Sequence, residues 1–155
     1  MRTGFPTSRS DLDNELRRFV YRQTVRTGQV PAVVAIAKGL NKPLRQVKAA
    51  LRRLSASHAF VLQETSGELW RAAPFSAVPT PFPVRAGKRS WWGTCIWDAL
   101  GILAALRVDG DIFGSCGCCN QAIPLAVSNG RLRPAKGLIH IAVPARRWYE
   151  DVVFT

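Results

Sequence analysis

At 155 residues the chain is long enough for one domain or two small ones. A hydrophobic share of 47% against 21% charged residues excludes a disordered chain, and no apolar run is long enough to cross a bilayer. The net charge of +12 is lopsided: residues 1–89 hold 16 Lys/Arg against 5 Asp/Glu, and residues 90–155 hold 6 against 5, so a polyanion would meet the first half.

The first ten residues form a loose basic arm without the apolar core of a signal peptide. The expectation is a soluble, cytoplasmic chain with no membrane partner. Ser10 is placed to cap a helix over 11–27, with Asp11, Asp13 and Glu15 in the first turn, where the helix dipole favours acids. Leu12, Leu16, Phe19, Val20 and Gln23 share one face, and Gly28 ends the run. A second helix is predicted over 31–40. Asn41-Lys42 makes a turn, and Pro43 opens a third helix over 43–55 with Leu44, Val47, Ala50, Leu51 and Leu54 as its buried stripe. Residues 60–63 and 69–71 flank Thr65-Ser66-Gly67-Glu68 as a hairpin.

Three helices and a hairpin predict a winged-helix-like unit over 1–73. Its third helix carries Lys42, Arg45, Lys48, Arg52 and Arg53, candidate contacts to nucleic-acid phosphates. The same residues also fit the solvated face of a packing module. Pro74, Pro79, Pro81 and Pro83 mark 74–89 as an extended proline-rich linker, with Phe75 and Phe82 as anchors.

The last unit, 90–155, is organised around Trp91-Trp92-Gly93-Thr94-Cys95-Ile96-Trp97-Asp98. Thr94 is a suitable N-cap for a helix running to Leu106. Cys95 and Asp98, three apart, fall on one helix face. A thiol in the first turn feels the positive end of the dipole, which favours thiolate, and the carboxyl can hold or deliver a proton. Trp91, Trp92 and Trp97 could wall a pocket for a soft electrophile. The alternative is a buried cysteine beside an exposed aspartate. Beyond the helix, residues 107–113 predict a turn and a strand, and 114–121 a tight loop. A strand follows over 122–128, with Pro124 confining it to an edge or bulge, then a hairpin turn at Asn129-Gly130. Residues 138–143 (LIHIAV) read as a strong strand, 144–151 as a short helix and 152–155 as a last strand. The overall class is α+β, with a small mixed or antiparallel sheet in the second unit.

Cys95, Cys116, Cys118 and Cys119 are the only cysteines. A cytoplasmic chain is not expected to pair them, and the adjacent Cys118 and Cys119 could bond only with strain. Thiol chemistry or soft-metal binding suits the clustering better. A zinc site from all four is open, although no Cys-x-x-Cys pair specifies it, and His58 and His140 lie far away in sequence. No phosphate-binding loop, dinucleotide fingerprint or Ser/His/Asp arrangement is present.

The segment Trp92-Gly93-Thr94-Cys95-Ile96-Trp97-Asp98-Ala99-Leu100 resembles the active-site segment of the alkylmercury (organomercurial) lyase family, which reads Trp–Cys–x–x–Asp–Thr–Leu at its heart. Residues 112–116 and 123–128 resemble the family's next strand, cysteine loop and strand, and the order of parts also matches. The resemblance implies protonolysis of a carbon–mercury bond: two thiolates take the mercury and an aspartate passes a proton to the leaving carbon. Carried over, Cys95 is the first thiolate, Asp98 the proton relay and Cys116 structural. No cofactor is required, and mercury(II) is substrate or product ion. The family's second mercury-binding cysteine follows a segment resembling 148–155, and no cysteine follows Trp148 here. A second thiolate is therefore expected from Cys118 or Cys119, unless the protein is a binding relative without turnover or the chain is shortened. The competing reading is a winged-helix DNA-binding regulator that senses a soft metal through Cys95 and the 116–119 cysteines; a third is a structural zinc domain. Oligomeric state is left open.

Overall fold

The computed structural model describes residues 9–116, 118–133, 138–141 and 143–150. Three helices come first: α1 (Arg9–Thr27), α2 (Val33–Leu40) and α3 (Leu44–Ala56). Leu16, Val20 and Thr24 of α1 are buried, spaced four apart along one face. The buried Thr24 hydroxyl donates to the Val20 carbonyl at 2.8 Å, so its burial leaves no orphan. Helix α2 has no side-chain cap of its own. Its first amide, from Val33, donates to a Glu68 carboxylate oxygen at 2.8 Å, which places negative charge at the positive helix end. Asn41 closes α2 in the left-handed region, at φ +51°. The stripe Val47, Ala50, Leu51 and Leu54 of α3 is buried as expected, whereas Leu44, in its first turn, is 42% exposed.

A small antiparallel sheet completes this half, in the order β1 (Val61–Leu62), β2 (Leu69–Ala72), β3 (Phe75–Ser76). The second sheet is five-stranded: β4 (Pro83–Ala86), β5 (Arg89–Trp92), β6 (Gly110–Ser115), β7 (Ala122–Ser128) and β8 (Arg131–Arg133), in the order β5-β4-β6-β7-β8, every pair antiparallel. Helix α4 (Ile96–Leu106) lies on it. Ala99, Ile102 and Leu103 of α4 are buried in one cluster with Phe75, Val84, Trp91 and Ile112. The class is α+β with antiparallel sheets, as expected from the sequence.

The chain departs from expectation at three places. Residues 74–89, read as an extended linker, supply β3, β4 and the first residue of β5, and β4 sits inside the larger sheet. Prolines do not forbid this: Pro83 takes the first position of its strand, where a missing N–H is tolerated. Residues 138–141, expected in a strand, are in none, and Leu138 is 99% exposed. The helix expected over 144–151 is one 3₁₀ turn at Ala145–Arg147. Of the expected basic arm over 1–10, Arg9 and Ser10 already belong to α1, so Ser10 does not precede the helix as a cap; residues 1–8 and the last strand at 152–155 lie outside the described residues. Pro124 lies within β7 opposite Phe113 of β6, and the described pairing of β7 with β8 covers Ala126–Ser128. Asn129 and Gly130 both have positive φ, +51° and +68°, as the tight turn between β7 and β8 requires.

The two halves share apolar contacts. Tyr21, Val25 and Val30 of the first half pack on the cluster beneath α4. The Trp91 indole N–H donates to the Thr24 carbonyl at 2.9 Å, tying β5 to the end of α1.

Candidate active site

The turn before α4 is held by the proline-rich stretch. The Gly93 amide donates to the Phe82 carbonyl at 3.0 Å, and the Gly93 carbonyl accepts from the Thr80 hydroxyl at 2.6 Å. The Thr94 amide donates to the Pro74 carbonyl at 3.3 Å. Gly93 is required by close approach: a Cβ there would stand 2.8 Å from the Ala99 nitrogen and 2.9 Å from its Cα. Residues 74–82 thus set where α4 begins.

Cys95, not Thr94, is the N-cap. Its backbone is extended (φ −148°, ψ −179°) and its Sγ accepts from the Asp98 amide at 3.4 Å. The Thr94 hydroxyl donates to the Asp98 carboxylate instead. The Cys95 thiol also acts on the carboxylate, lowering its pKa, so the two groups fall together as their three-residue spacing predicts.

Burial decides the protonation state of this pair. It pushes the Asp98 carboxyl above its ordinary range, against the opposing pull of the Cys95 thiol and the Arg71 guanidinium. Burial also pushes the Cys95 thiol up, and the Asp98 charge adds to it, outweighing the Asp98 amide. The expectation that the helix end would favour thiolate is therefore reversed: a half-buried sulfur beside a carboxylate keeps its proton.

Two neighbours are not evident from the sequence. Arg71 of β2 interacts electrostatically with Asp98 and Cys95, and desolvation lowers its own pKa. Tyr21 of α1 feels the Asp98 charge, and its hydroxyl donates to the Ala73 carbonyl at 3.0 Å. Both come from other elements, and no local spacing marks them. Tyr21 also borders an open cavity of about 650 Å³ with Asn14, Arg17, Arg18 and Arg22.

The tryptophans diverge. Trp91 is 4% exposed and belongs to the core, where its N–H is taken by Thr24. Trp92 is half-buried, and Trp97 is 60% exposed. Cys116, Cys118 and Cys119 draw together on the loop between β6 and β7, and Cys95 is not a member of their group. Of the basic residues named for nucleic acid, Arg53 is engaged with the Asp13 carboxylate at 2.5 Å. Arg45, Lys48 and Arg52 are exposed and Lys42 is half-buried. Nothing in their arrangement supports nucleic-acid binding.

The family profile described as MerB, alkylmercury lyase, matches residues 75–155, just over half of the chain. The chain belongs to the alkylmercury lyase family. No curated protein matches it. Among the solved structures that match is the mercury-bound form of MerB2, 21% identical, with a TM-score of 0.58. That likeness, one of fold, covers 82% of this chain and 66% of the other, so this chain spans just under two thirds of the MerB2 chain. The family match contains Cys95, Asp98 and the three loop cysteines, but neither Tyr21 nor Arg71.

Proposed function

We propose that the chain cleaves carbon–mercury bonds by protonolysis, with Cys95 as the thiolate that takes mercury and Asp98 as the acid. The observation that supports this most is the thiol and carboxyl brought together at the start of α4, with the Asp98 amide on the Cys95 sulfur and both groups raised in pKa by burial. A soft mercury(II) centre prefers sulfur over the oxygen donors around it. As an organomercury cation binds, the Cys95 S–H bond breaks, a sulfur–mercury bond forms, and the proton passes to the Asp98 carboxylate. Asp98 holds that proton because burial makes it a weaker acid than usual. The carbon–mercury bond then breaks, its electron pair takes the proton from Asp98, and hydrocarbon leaves. Mercury(II) remains on Cys95 and Asp98 is again a carboxylate. Charge and atoms balance without a cofactor. Thr94 and Arg71 orient Asp98 and stabilise its carboxylate before the first transfer and after the second.

A second thiolate from Cys118 or Cys119 requires their loop to reach toward α4, because as placed they group with Cys116. The chemistry suits a reducing, cytoplasmic setting in which the thiols stay free. We read the first half as winged-helix-like, serving this reaction as packing and as the source of Tyr21 and Arg71.

The test is release of benzene from phenylmercuric acetate by the full chain in excess small thiol, followed by gas chromatography. Wild type should turn over. Cys95→Ser should be inactive, and Asp98→Ala should lose about a hundredfold or more, the usual worth of a placed acid. No benzene from wild type, or full activity in either variant, rejects the reading.

A further inference from the structure

The loop between β6 and β7 carries a thiol cluster that, as placed, takes no part in the steps written for Cys95 and Asp98. The sulfurs of Cys116, Cys118 and Cys119 all lie within 4.8 Å of one another, with Cys116 and Cys118 at 3.2 Å. Three sulfurs at about 2.3 Å from a central ion stand about 4 Å apart in a trigonal plane. The three sulfurs are thus close enough to share one ion, with the Cys116–Cys118 pair needing to open by less than about 1 Å. The backbone fixes it: the Cys116 amide donates to the Gln121 carbonyl and the Cys116 carbonyl accepts from the Asn120 amide, both at 2.8 Å. Cys118 and Cys119 are exposed and Cys116 is half-buried, so an ion can reach all three.

We propose that Cys116, Cys118 and Cys119 form a trithiolate site for a soft, thiophilic divalent cation, separate from Cys95. Structural zinc takes four protein ligands, and among the described residues no fourth Cys, His, Asp or Glu joins the group. Three thiolates alone suit softer ions, which tolerate low coordination and favour sulfur. Binding is an exchange without redox change: the metal takes three sulfurs, and their protons go to solvent.

The site also lies near α4. A Cβ on Gly114, two residues before Cys116, would stand 3.4 Å from Ile96 Cδ1, so β6 passes the first residue of α4 on its way into the loop. The site rests on the loop geometry alone and holds whether or not the chain is a lyase.

The test is titration of the full chain, reduced with a phosphine, with cadmium chloride, reading the thiolate-to-metal charge-transfer band. Wild type and Cys95→Ser should each bind one cadmium at the loop with the same affinity. Cys118→Ser and Cys119→Ser, both at exposed positions, should weaken binding by more than about tenfold, exceeding the lower end of what loss of an outer-shell partner costs. Equimolar zinc should not displace the cadmium. Undiminished binding in the Cys118→Ser/Cys119→Ser double variant, loss of this binding in Cys95→Ser, or displacement by equimolar zinc overturns the proposal. Benzene release is read separately, so each reading can fail without the other.

Discussion

The Asp98 amide donates to the Cys95 sulfur at 3.4 Å, so the candidate reactive atom is also the cap of α4. Sulfur is a weak acceptor and a serine oxygen a good one. Cys95→Ser should therefore be at least as stable as wild type while losing benzene release. Cys95→Ala should be less stable than Cys95→Ser by about 0.5–2 kcal/mol. Urea unfolding of the three proteins checks this, and equal midpoints for the serine and alanine variants would count against the cap.

Thiol reactivity should follow the protonation order set by the surroundings. Cys116, lowered to about 7, should be alkylated by iodoacetamide at neutral pH well before Cys95, which burial and the Asp98 charge hold protonated. Asp98→Asn removes that charge and should speed Cys95 alkylation. Peptide mass spectrometry over a time course resolves the sites; Cys95 reacting first in wild type contradicts the site as described.

Stability should respond to Asp98 in a defined direction. Its folded carboxyl is raised above the ordinary 3.8, so the folded chain holds this proton more tightly than the unfolded chain. The resulting contribution is complete below the unfolded value and fades as pH climbs through the folded one. Relative to Asp98→Asn, wild type should lose stability as pH rises from about 3.8 through the raised folded value. Paired denaturant curves across that range measure the difference, and a relative gain for wild type would refute it.

Two glycines near α4 should behave oppositely. At Gly93 an added methyl meets the Ala99 backbone, which must move, at a typical cost of about 1–3 kcal/mol. That movement shifts the start of α4, so Gly93→Ala should also reduce benzene release. Gly101, inside α4, has open space, with Pro74 Cβ nearest at 3.8 Å. Gly101→Ala should gain up to about 1 kcal/mol from helix propensity. Unfolding curves and the benzene assay on both variants provide the check.

What could be read from the sequence was the local part. The three early helices and α4 follow from apolar spacing and breakers such as Gly28 and Pro43, and Asn129-Gly130 specifies its own turn. The Cys95–Asp98 pairing was legible because one helix carries both. Residues 74–89 misled because prolines mark the absence of regular hydrogen bonding, yet a short strand can begin on one, as β4 does at Pro83. Residues 138–141 have strand composition, but composition supplies no neighbour to pair with. Arg71 and Tyr21 were invisible because only the tertiary fold brings β2 and α1 beside Asp98. The direction of the Cys95 shift needed the same knowledge, since burial is a property of the assembled protein.

The bond from Trp91 to the last turn of α1 has a practical meaning for anyone cutting this gene. The family profile starts at residue 75, but the floor under α4 is finished by Tyr21, Val25 and Val30, from outside that boundary. A truncate beginning at residue 75 would leave oily surface open to water and an indole hydrogen without its acceptor, inviting clumping in the tube. The half that carries Cys95 and Asp98 leans on the other for its floor, and the two should be expressed together.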